Sequence, residues 1–294
     1  MRILITGSNG LLGQKLVALC QEKNIKYFAT SKGENRNSTC PENHYYELDI
    51  TNQDAVNNVF NRLQPTHVIH TAAITNVDFC ELNPDDCELV NVKATEYLIN
   101  ASNSVNAHFQ LLSTDFVFDG EKGDYNEEDE VNPLSIYAVS KVKGEVLTQR
   151  LANNWSVVRT IIVYGNGENL SRSNLIDWAK GALEKGDEIN IIDDQFRAPT
   201  FSEDLAAGCM GIIENNEKGI FHISGPETMS IYKIVERIAA YFSFSMDKVN
   251  KISSSTLDQP AKRPPKTGFD LSKAYDRINY SPKTLEETLA ILYS

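Results

Sequence analysis

Apolar runs alternate with amphipathic stretches through the first half of the chain. Six short runs rich in apolar and β-branched residues predict strands: RILIT (2–6), IKYFAT (25–30), YYELDI (45–50), HVIHTAA (67–73), FQLLST (109–114) and SVVRTIIVYG (156–165). Helical spacing between them predicts helices at LLGQKLVALCQEKN (11–24), TNQDAVNNVFNRLQ (51–64) and VNVKATEYLINASNSVN (90–106). This alternation predicts an α/β fold with a doubly wound parallel sheet, because βα units place successive strands in parallel.

The pattern is less regular after residue 165. Helices are predicted at SNLIDWAKGALEKG (173–186) and SIYKIVERIAAYF (230–242), before the proline-rich stretch DQPAKRPPKTGFDLSKA (258–274). We therefore expect one domain over residues 1–165, joined by part of 193–224. The remainder of 166–294 is expected to form a smaller C-terminal lobe.

The composition limits the classes of ligand and compartment. The chain has 294 residues, 41% of them hydrophobic, and a net charge of −12, which argues against sequence-independent binding of nucleic acid. It contains no apolar run of membrane-spanning length and no leader before RILIT, and its five cysteines form no C-x-x-C pair. These features favour a cytoplasmic protein without a membrane span, disulfides or a metal site. An anionic ligand would require local cations, for which the candidates are Arg172, Arg197, Lys262 and Arg263.

Three glycines follow the first predicted strand at three-residue spacing, in TGSNGLLG. Gly7 permits a tight turn, Gly10 lets the backbone approach a pyrophosphate, and Gly13 lets the following helix pack close to the strand. The amides at the start of that helix then face the phosphates. The motif, in its strand–turn–helix context, predicts a Rossmann dinucleotide site.

The end of the second strand predicts which dinucleotide binds. NAD enzymes usually have a carboxylate there, but this strand runs into Ser31 and Lys32, with Arg36 nearby and no acid before Glu34. Hydroxyl and cationic groups suit the extra phosphate of NADP, so NADPH is expected and NAD stays an alternative. The expected cofactor-binding residues are Gly7, Asn9, Gly10, Leu11, Leu12, Gly13, Ser31, Lys32, Asp49, Ile50, Thr71, Ala72 and Ala73.

A tyrosine and a lysine four residues apart follow the fifth predicted strand. A helix that begins near Ser135 places Tyr137 and Lys141 on one face, close behind the strand end Ser113-Thr114. Reduction of a ketone by a nicotinamide creates an alkoxide, which needs a proton donor and a polar anchor. A neighbouring ammonium lowers the pKa of a phenol from its usual value of about 10. The pattern therefore predicts Tyr137 as the acid, Lys141 as its activating cation and Thr114 as the anchor.

The motifs TGSNGLLG, STDFVFDG and YAVSKVKGE resemble those of the extended short-chain dehydrogenases/reductases, and most closely of the dTDP-4-dehydrorhamnose reductase family. HTAAITNVDFCELNPDDCELVN, DDQFRAPTFSEDLA and GIFHISG extend the similarity over almost the whole chain. The resemblance implies catalytic roles for Thr114, Tyr137 and Lys141 and a nucleotide-sugar site in the C-terminal lobe. The substrate-binding residues expected from it are Asp78, Asp115, Ile162 and Arg263.

One segment departs from that family. Its members typically have RTSWVYG with a tryptophan against the sugar, whereas this chain has RTIIVYG, with Ile161 and Ile162 in the Ser and Trp positions. An aliphatic side chain offers a sugar less flat area and no N–H donor. This departure concerns the identity of the substrate and leaves the predicted fold unchanged. Ile162 either faces the sugar or belongs to the core.

These residues predict an NADPH-dependent reductase of a nucleotide-linked 4-keto-6-deoxy sugar, with a homodimer as an open question. A nucleotide-sugar epimerase or dehydratase is one alternative, because these enzymes use the same Tyr-Lys pair. A non-catalytic NADP-binding protein resembling the regulatory subunit of methionine adenosyltransferase is another, because such proteins also lack the tryptophan.

Overall fold

The computed structural model describes residues 1–171 and 173–294. The described residues form fourteen strands, many of them short. In chain order they are β1 (Arg2–Thr6), β2 (Lys26–Ser31), β3 (Tyr45–Glu47), β4 (His67–His70), β5 (His108–Thr114), β6 (Trp155–Thr160), β7 (Val163–Tyr164), β8 (Ile189–Ile192), β9 (Phe196–Arg197), β10 (Thr200–Phe201), β11 (Gly219–His222), β12 (Met229–Ser230), β13 (Val249–Ile252) and β14 (Lys266–Thr267).

The helices alternate with the strands through the first half of the chain. They are α1 (Leu11–Glu22), α2 (Gln53–Leu63), α3 (Val77–Leu82), α4 (Pro84–Glu88), α5 (Ala94–Ser104), α6 (Ile136–Leu151), α7 (Leu175–Lys185), α8 (Ser202–Glu214), α9 (Ile231–Phe242), α10 (Ser272–Ile278) and α11 (Leu285–Leu292). Short 3₁₀ turns span Glu42–His44, Asp115–Val117 and Ser254–Thr256, and a π-helical turn spans Leu89–Lys93.

Seven strands form a single parallel sheet in the order β11-β6-β5-β4-β1-β2-β3. Successive residues of a strand point to opposite faces, and β1 shows the result. Ile3 and Ile5 pack in a core with α1 and α8, whereas Leu4 packs in a core with α2 and α5 on the other face. Helices therefore cover both faces, and the predicted doubly wound parallel sheet is confirmed.

Two predicted elements are interrupted. The run 156–165 forms β6 and β7, separated at Ile161 and Ile162, because Ile162 has a φ of +27°. Thr200 satisfies the backbone carbonyls at this break. Its N–H donates to the Ile162 carbonyl at 3.0 Å, and its hydroxyl donates to the Ile161 carbonyl at 2.6 Å. The run 90–106 begins inside the π-helical turn, so regular α-helix starts only at Ala94.

The C-terminal residues form a separate hydrophobic cluster. Ile176 of α7, Ile234 of α9 and Leu289 of α11 are fully buried in it, together with Tyr164. All five cysteines are buried and free. None of the helices in the described part combines the length and apolar composition that a bilayer crossing requires.

Candidate active site

The candidate site lies along the edge of the sheet where the central strands end. In a parallel sheet the carboxyl ends of all strands share one edge, and ligands of such folds bind beside it. Strands β1, β4 and β5 are neighbours or next neighbours in the sheet order. Consequently Gly7, Thr71 and Thr114, which end or follow these strands, meet at this edge.

The glycine loop is packed too tightly for side chains at two of its three glycines. Gly7 has a φ of +71°, and a Cβ on it would lie 2.8 Å from the backbone nitrogen of Ala72. A Cβ on Gly13 would lie 2.3 Å from the Gly7 carbonyl oxygen, whereas at Gly10 the nearest atom is 3.2 Å away. Beside the loop, the buried Ser8 hydroxyl has no hydrogen-bond partner among the described residues. The exposed backbone at Gly10 and the unpaired hydroxyl fit the phosphates of a dinucleotide.

Asn9 ties the glycine loop to the end of β2. Its backbone N–H donates to the Ser31 hydroxyl at 3.1 Å, and its side-chain amide donates to the Glu34 carbonyl at 2.8 Å. Its side-chain carbonyl accepts from the Arg36 N–H at 2.9 Å. The side chain of Asn9 therefore fixes the segment that was predicted to meet the ribose phosphate.

Lys32 is paired with the carboxylate of Asp49. The distance between Lys32 Nζ and Asp49 Oδ2 is 2.8 Å, and Asp49 also accepts from the Thr51 N–H and hydroxyl at 3.0 and 2.7 Å. The hydrogen bond from Lys32 lowers the pKa of Asp49 to about 2. Helix α2 is capped by Asn52 rather than through Thr51. A phosphate bound beside Lys32 would therefore share this cation with the carboxylate of Asp49.

The remaining cofactor candidates lie next to these two segments. Leu11 and Leu12 open α1, and Ile50 is buried after β3. The Thr71 hydroxyl donates to the Thr6 carbonyl at 2.6 Å, which fixes the segment of Ala72 and Ala73 beside the glycine loop.

Tyr137 and Lys141 lie on one face of α6 with little exposure to solvent. The side chain of Ser135 caps the helix by accepting from the Ala138 N–H at 3.3 Å. The Tyr137 ring is 8% exposed and packs edge-to-face on Phe116, with 6.2 Å between ring centroids. Lys141 is 6% exposed and its ammonium donates to the Leu112 carbonyl at 2.6 Å. Burial lowers the pKa of Lys141 to about 8.

Thr114 ends β5 and directs its hydroxyl toward the next residue. Its Oγ1 donates to Asp115 at 3.1 Å and accepts from the Phe116 N–H at 3.2 Å. The other oxygen of Asp115 accepts from Thr267 and lies 3.6 Å from Nε of Arg197. Asp115 is 2% exposed, and this burial raises the pKa of its carboxyl. Asp115 therefore supports Thr114 and the proline-rich segment from behind the site.

Arg263 and Asp78, two of the expected substrate-binding residues, are joined to each other. Arg263 Nη2 donates to Asp78 Oδ2 at 2.7 Å and Nη1 to Oδ1 at 3.2 Å, which links the proline-rich stretch to α3. Ile162 is half-buried at the break between β6 and β7. Of the other candidate cations, Arg197 is buried among backbone carbonyls and Lys262 is exposed, while Arg172 lies outside the described residues.

A family model described as "RmlD substrate binding domain" matches residues 1–293. The chain belongs to this family.

Relatives of known name agree with the membership. A dTDP-4-dehydrorhamnose reductase of Aggregatibacter actinomycetemcomitans is 31% identical, over 98% of this chain and 97% of its own. The methionine adenosyltransferase 2 subunit beta of Bos taurus is 31% identical, over 92% of this chain and 81% of its own. The crystal structure of a dTDP-4-dehydrorhamnose reductase from Bacillus anthracis in complex with NADP is 26% identical, has a TM-score of 0.86 and covers 99% of this chain and 98% of that one. The expected dTDP-4-dehydrorhamnose reductase-like character is confirmed.

Four buried polar residues in or beside the candidate site were not predicted from the sequence: Ser8, described above, and Asn91, Glu145 and Arg159. Asn91 holds the segment after β4 through its side-chain amide: the oxygen accepts from the Ile74 N–H at 2.8 Å, and the nitrogen donates to the Ile74 carbonyl at 3.0 Å. Glu145 and Arg159 form an ion pair of 2.7 Å behind Lys141. Glu145 was visible as the last letter of YAVSKVKGE, but no local signal connects it to Arg159 on the next strand. The described residues contain no group of three or more potential metal ligands.

Proposed function

We propose that this protein reduces the 4-keto group of a nucleotide-linked 4-keto-6-deoxy sugar with NADPH. The observation that carries the proposal is the juxtaposition at one sheet edge of the glycine loop, the hydroxyl of Thr114 and the Tyr137–Lys141 face of α6. Membership of the RmlD family and the NADP complex of the Bacillus anthracis relative support the choice of substrate class and cofactor.

In this proposal, the cofactor is held by residues predicted from the sequence together with Ser8, which was not predicted. The amides at the start of α1 and the unpaired Ser8 hydroxyl bind the pyrophosphate, and Ser31 with Lys32 meets the ribose phosphate. NADPH supplies a hydride when it is bound. Lys141 provides a positive charge close to Tyr137 and a donor for the nicotinamide ribose.

The hydroxyl groups of Tyr137 and Thr114 have different functions in the proposed proton transfer. As the carbonyl oxygen gains negative charge, Tyr137 donates its phenolic proton to it, and the Lys141 ammonium stabilises the phenolate that remains. Thr114 turns its hydroxyl from Asp115 toward the same oxygen and fixes the direction of the carbonyl. Ile162 and Arg263 are proposed to contact the sugar and the nucleotide, and Asp78 positions Arg263.

The test is direct turnover with defined substrates. The dTDP, UDP and GDP derivatives of a 4-keto-6-deoxy sugar are supplied with NADPH, and loss of the reduced nicotinamide is followed by absorbance. Oxidation of NADPH with at least one of them, and formation of the reduced sugar, is expected. NADPH that binds tightly but is not oxidised with any 4-keto sugar contradicts the proposal.

A second candidate is a regulatory function without turnover. It is favoured by the 31% identity to methionine adenosyltransferase 2 subunit beta and by Ile162 in place of an aromatic residue. Co-purification with a methionine adenosyltransferase and a change in that enzyme's kinetics on mixing, together with no oxidation of NADPH, would establish it.

The division of the chain, the compartment and the oligomeric state belong to the same proposal. Residues 1–165 with part of 193–224 would bind the cofactor, and the remainder of 166–294 would bind the sugar nucleotide. The protein would act in the cytoplasm.

A homodimer is supported by apolar side chains exposed along α3 to α6, among them Leu82 (69% exposed), Leu89 (42%) and Val146 (39%). Sedimentation of the wild type and of Leu82→Glu distinguishes monomer from dimer.

A further inference from the structure

A buried ion pair lies directly behind the lysine of the candidate site. Glu145 on α6 and Arg159 on β6 are both 2% exposed. Arg159 donates through Nε and Nη2 to the two carboxylate oxygens of Glu145, at 3.0 and 2.7 Å. Two charges removed from water cost free energy that apolar residues of the same size do not, so such a pair is weak support for stability alone. Its position indicates another use.

Glu145 and Lys141 form hydrogen bonds with consecutive residues at the end of β5. The two side chains lie one turn apart on the same face of α6. Lys141 donates to the carbonyl of Leu112, while Glu145 accepts from the hydroxyl of Ser113. The next residue along the strand is Thr114, so these two bonds set the distance between the Thr114 hydroxyl and the helix that carries Tyr137.

Arg159 is itself held in one orientation. The third nitrogen of its guanidinium donates to Nε2 of His222 at 3.4 Å, and the guanidinium lies 5.0 Å from the ring centre of Phe118. Because Nε2 of His222 accepts from Arg159, its Nδ1 carries the hydrogen and donates to the Tyr125 carbonyl at 3.0 Å. Burial keeps this ring neutral by lowering its pKa to about 3. The carboxylate of Glu145 is therefore held in a fixed position.

We propose that Glu145 is a positioning residue for the reaction: fixed by Arg159, it holds α6 against the end of β5 and places a negative charge close to Lys141. The inference rests on the proposed reduction for its effect on turnover. Burial lowers the pKa of Lys141 to about 8, and Glu145 opposes that change, so the ammonium persists at neutral pH. Cys87 of α4 and His70 of β4 also interact electrostatically with Lys141, and Tyr137 lies one turn before it on the same face of α6.

The test removes the charge without leaving a lone buried ion. Glu145→Gln alone keeps the acceptor for Ser113 but leaves Arg159 unpaired, and it is expected to destabilise the fold. The double variant Glu145→Gln with Arg159→Gln removes both charges and is the main probe. A matched control removes another buried carboxylate and its partner, with Asp204→Asn and Lys283→Met, away from Lys141.

Two readouts are recorded across pH 6 to 9: kcat at saturating NADPH, and the Kd of NADPH from nicotinamide fluorescence. In the double variant the loss of kcat and the weakening of NADPH binding at high pH should both begin at a lower pH than in the wild type, because Lys141 loses its proton earlier. The control should overlay the wild type. Binding and rate profiles of the double variant that overlay the wild type would overturn the proposal.

Different results would contradict the proposed reduction and the proposed role of Glu145. If the wild type oxidises no NADPH with any 4-keto sugar, the reaction is wrong, and the NADPH titration still decides whether Glu145 acts on Lys141. If the wild type turns over and only the stability of the double variant changes, Glu145 is a structural partner of Arg159 and the proposal is wrong.

Discussion

Tyr137 is the residue whose removal separates binding from chemistry. Tyr137→Phe keeps the ring that packs on Phe116 but removes the phenolic proton. We expect kcat to fall at least about 100-fold, the scale of a lost general acid, while the Kd of NADPH stays within about twofold. Single-turnover absorbance and fluorescence titration measure the two quantities. Tyr275→Phe, on the exposed face of α10, should behave as wild type, and near-normal turnover of Tyr137→Phe would contradict the assignment.

Lys32 and Arg36 test the preference for the phosphorylated dinucleotide. Because Lys32 is 79% exposed and already paired with Asp49, its contribution to a phosphate is shared. We expect Lys32→Ala with Arg36→Ala to weaken NADPH binding several-fold and to change NADH binding less. Lys26→Ala, at the opposite end of β2, is the control. Equal affinities of the wild type for NADPH and NADH would remove the basis of the prediction.

For single residues, the sequence predicted where a side chain lies in the fold better than it predicted the hydrogen-bond or ion-pair partner of that side chain. The glycine spacing and the Tyr-Lys spacing are local, and the structure places both where a strand end meets a helix start. Partners that are distant along the chain left no pattern: Asp115 bonds to Thr267, 152 residues later. The pairing of Lys32 with Asp49 was missed for the same reason, since it depends on the side-by-side alignment of β2 and β3.

The start of α6 is the element on which the candidate site depends. Its first amides are satisfied by the Ser135 hydroxyl and by Glu81 of α3, which accepts from the Ile136 N–H at 3.0 Å. Ser135→Ala should cost about 1 kcal/mol of stability, as the loss of a cap usually does, and should also lower kcat, because the first turn carries Tyr137. Asn52→Ala removes the cap of α2 and should cost a similar amount with kcat unchanged. Denaturant unfolding and steady-state rates measure both, and an unchanged kcat in Ser135→Ala would contradict the coupling.

Element types were predictable from periodicity, and their ends were less so. Strands β1 and β4 and helices α1 and α2 fall inside the predicted runs, because their apolar spacing matches the faces they bury. The break at Ile162 was not predicted. A β-branched residue at positive φ is strained and unusual, and the run of apolar letters there gives no sign that the chain leaves the sheet for β10.

The whole molecule should lose stability in mild acid. His70, His108 and His222 are buried, and burial lowers their pKa values to about 3, about 4 and about 3. Between those values and the unfolded value near 6.5 the unfolded chain binds more protons, so the free energy of unfolding falls as the pH falls. The slope is about 1.4 kcal/mol per pH unit for each histidine.

Urea unfolding between pH 7 and pH 5 measures this slope. His108→Gln removes one of the three groups and should reduce the steepness. A free energy of unfolding that stays constant from pH 7 to pH 5 in the wild type would contradict the prediction.

The place of β11 at the edge of the sheet has a consequence for synthesis on the ribosome. Its partner β6 ends at residue 160, yet β11 ends only at residue 222, and α8 of the same core lies between them. At 5–20 residues per second, roughly 3–12 s pass between the two. During that interval the nascent chain presents an unpaired strand edge and an uncovered apolar face, which invite pairing with other chains. Association of nascent chains is therefore expected to be greatest before residue 222 has been synthesised and to fall once β11 has paired with β6.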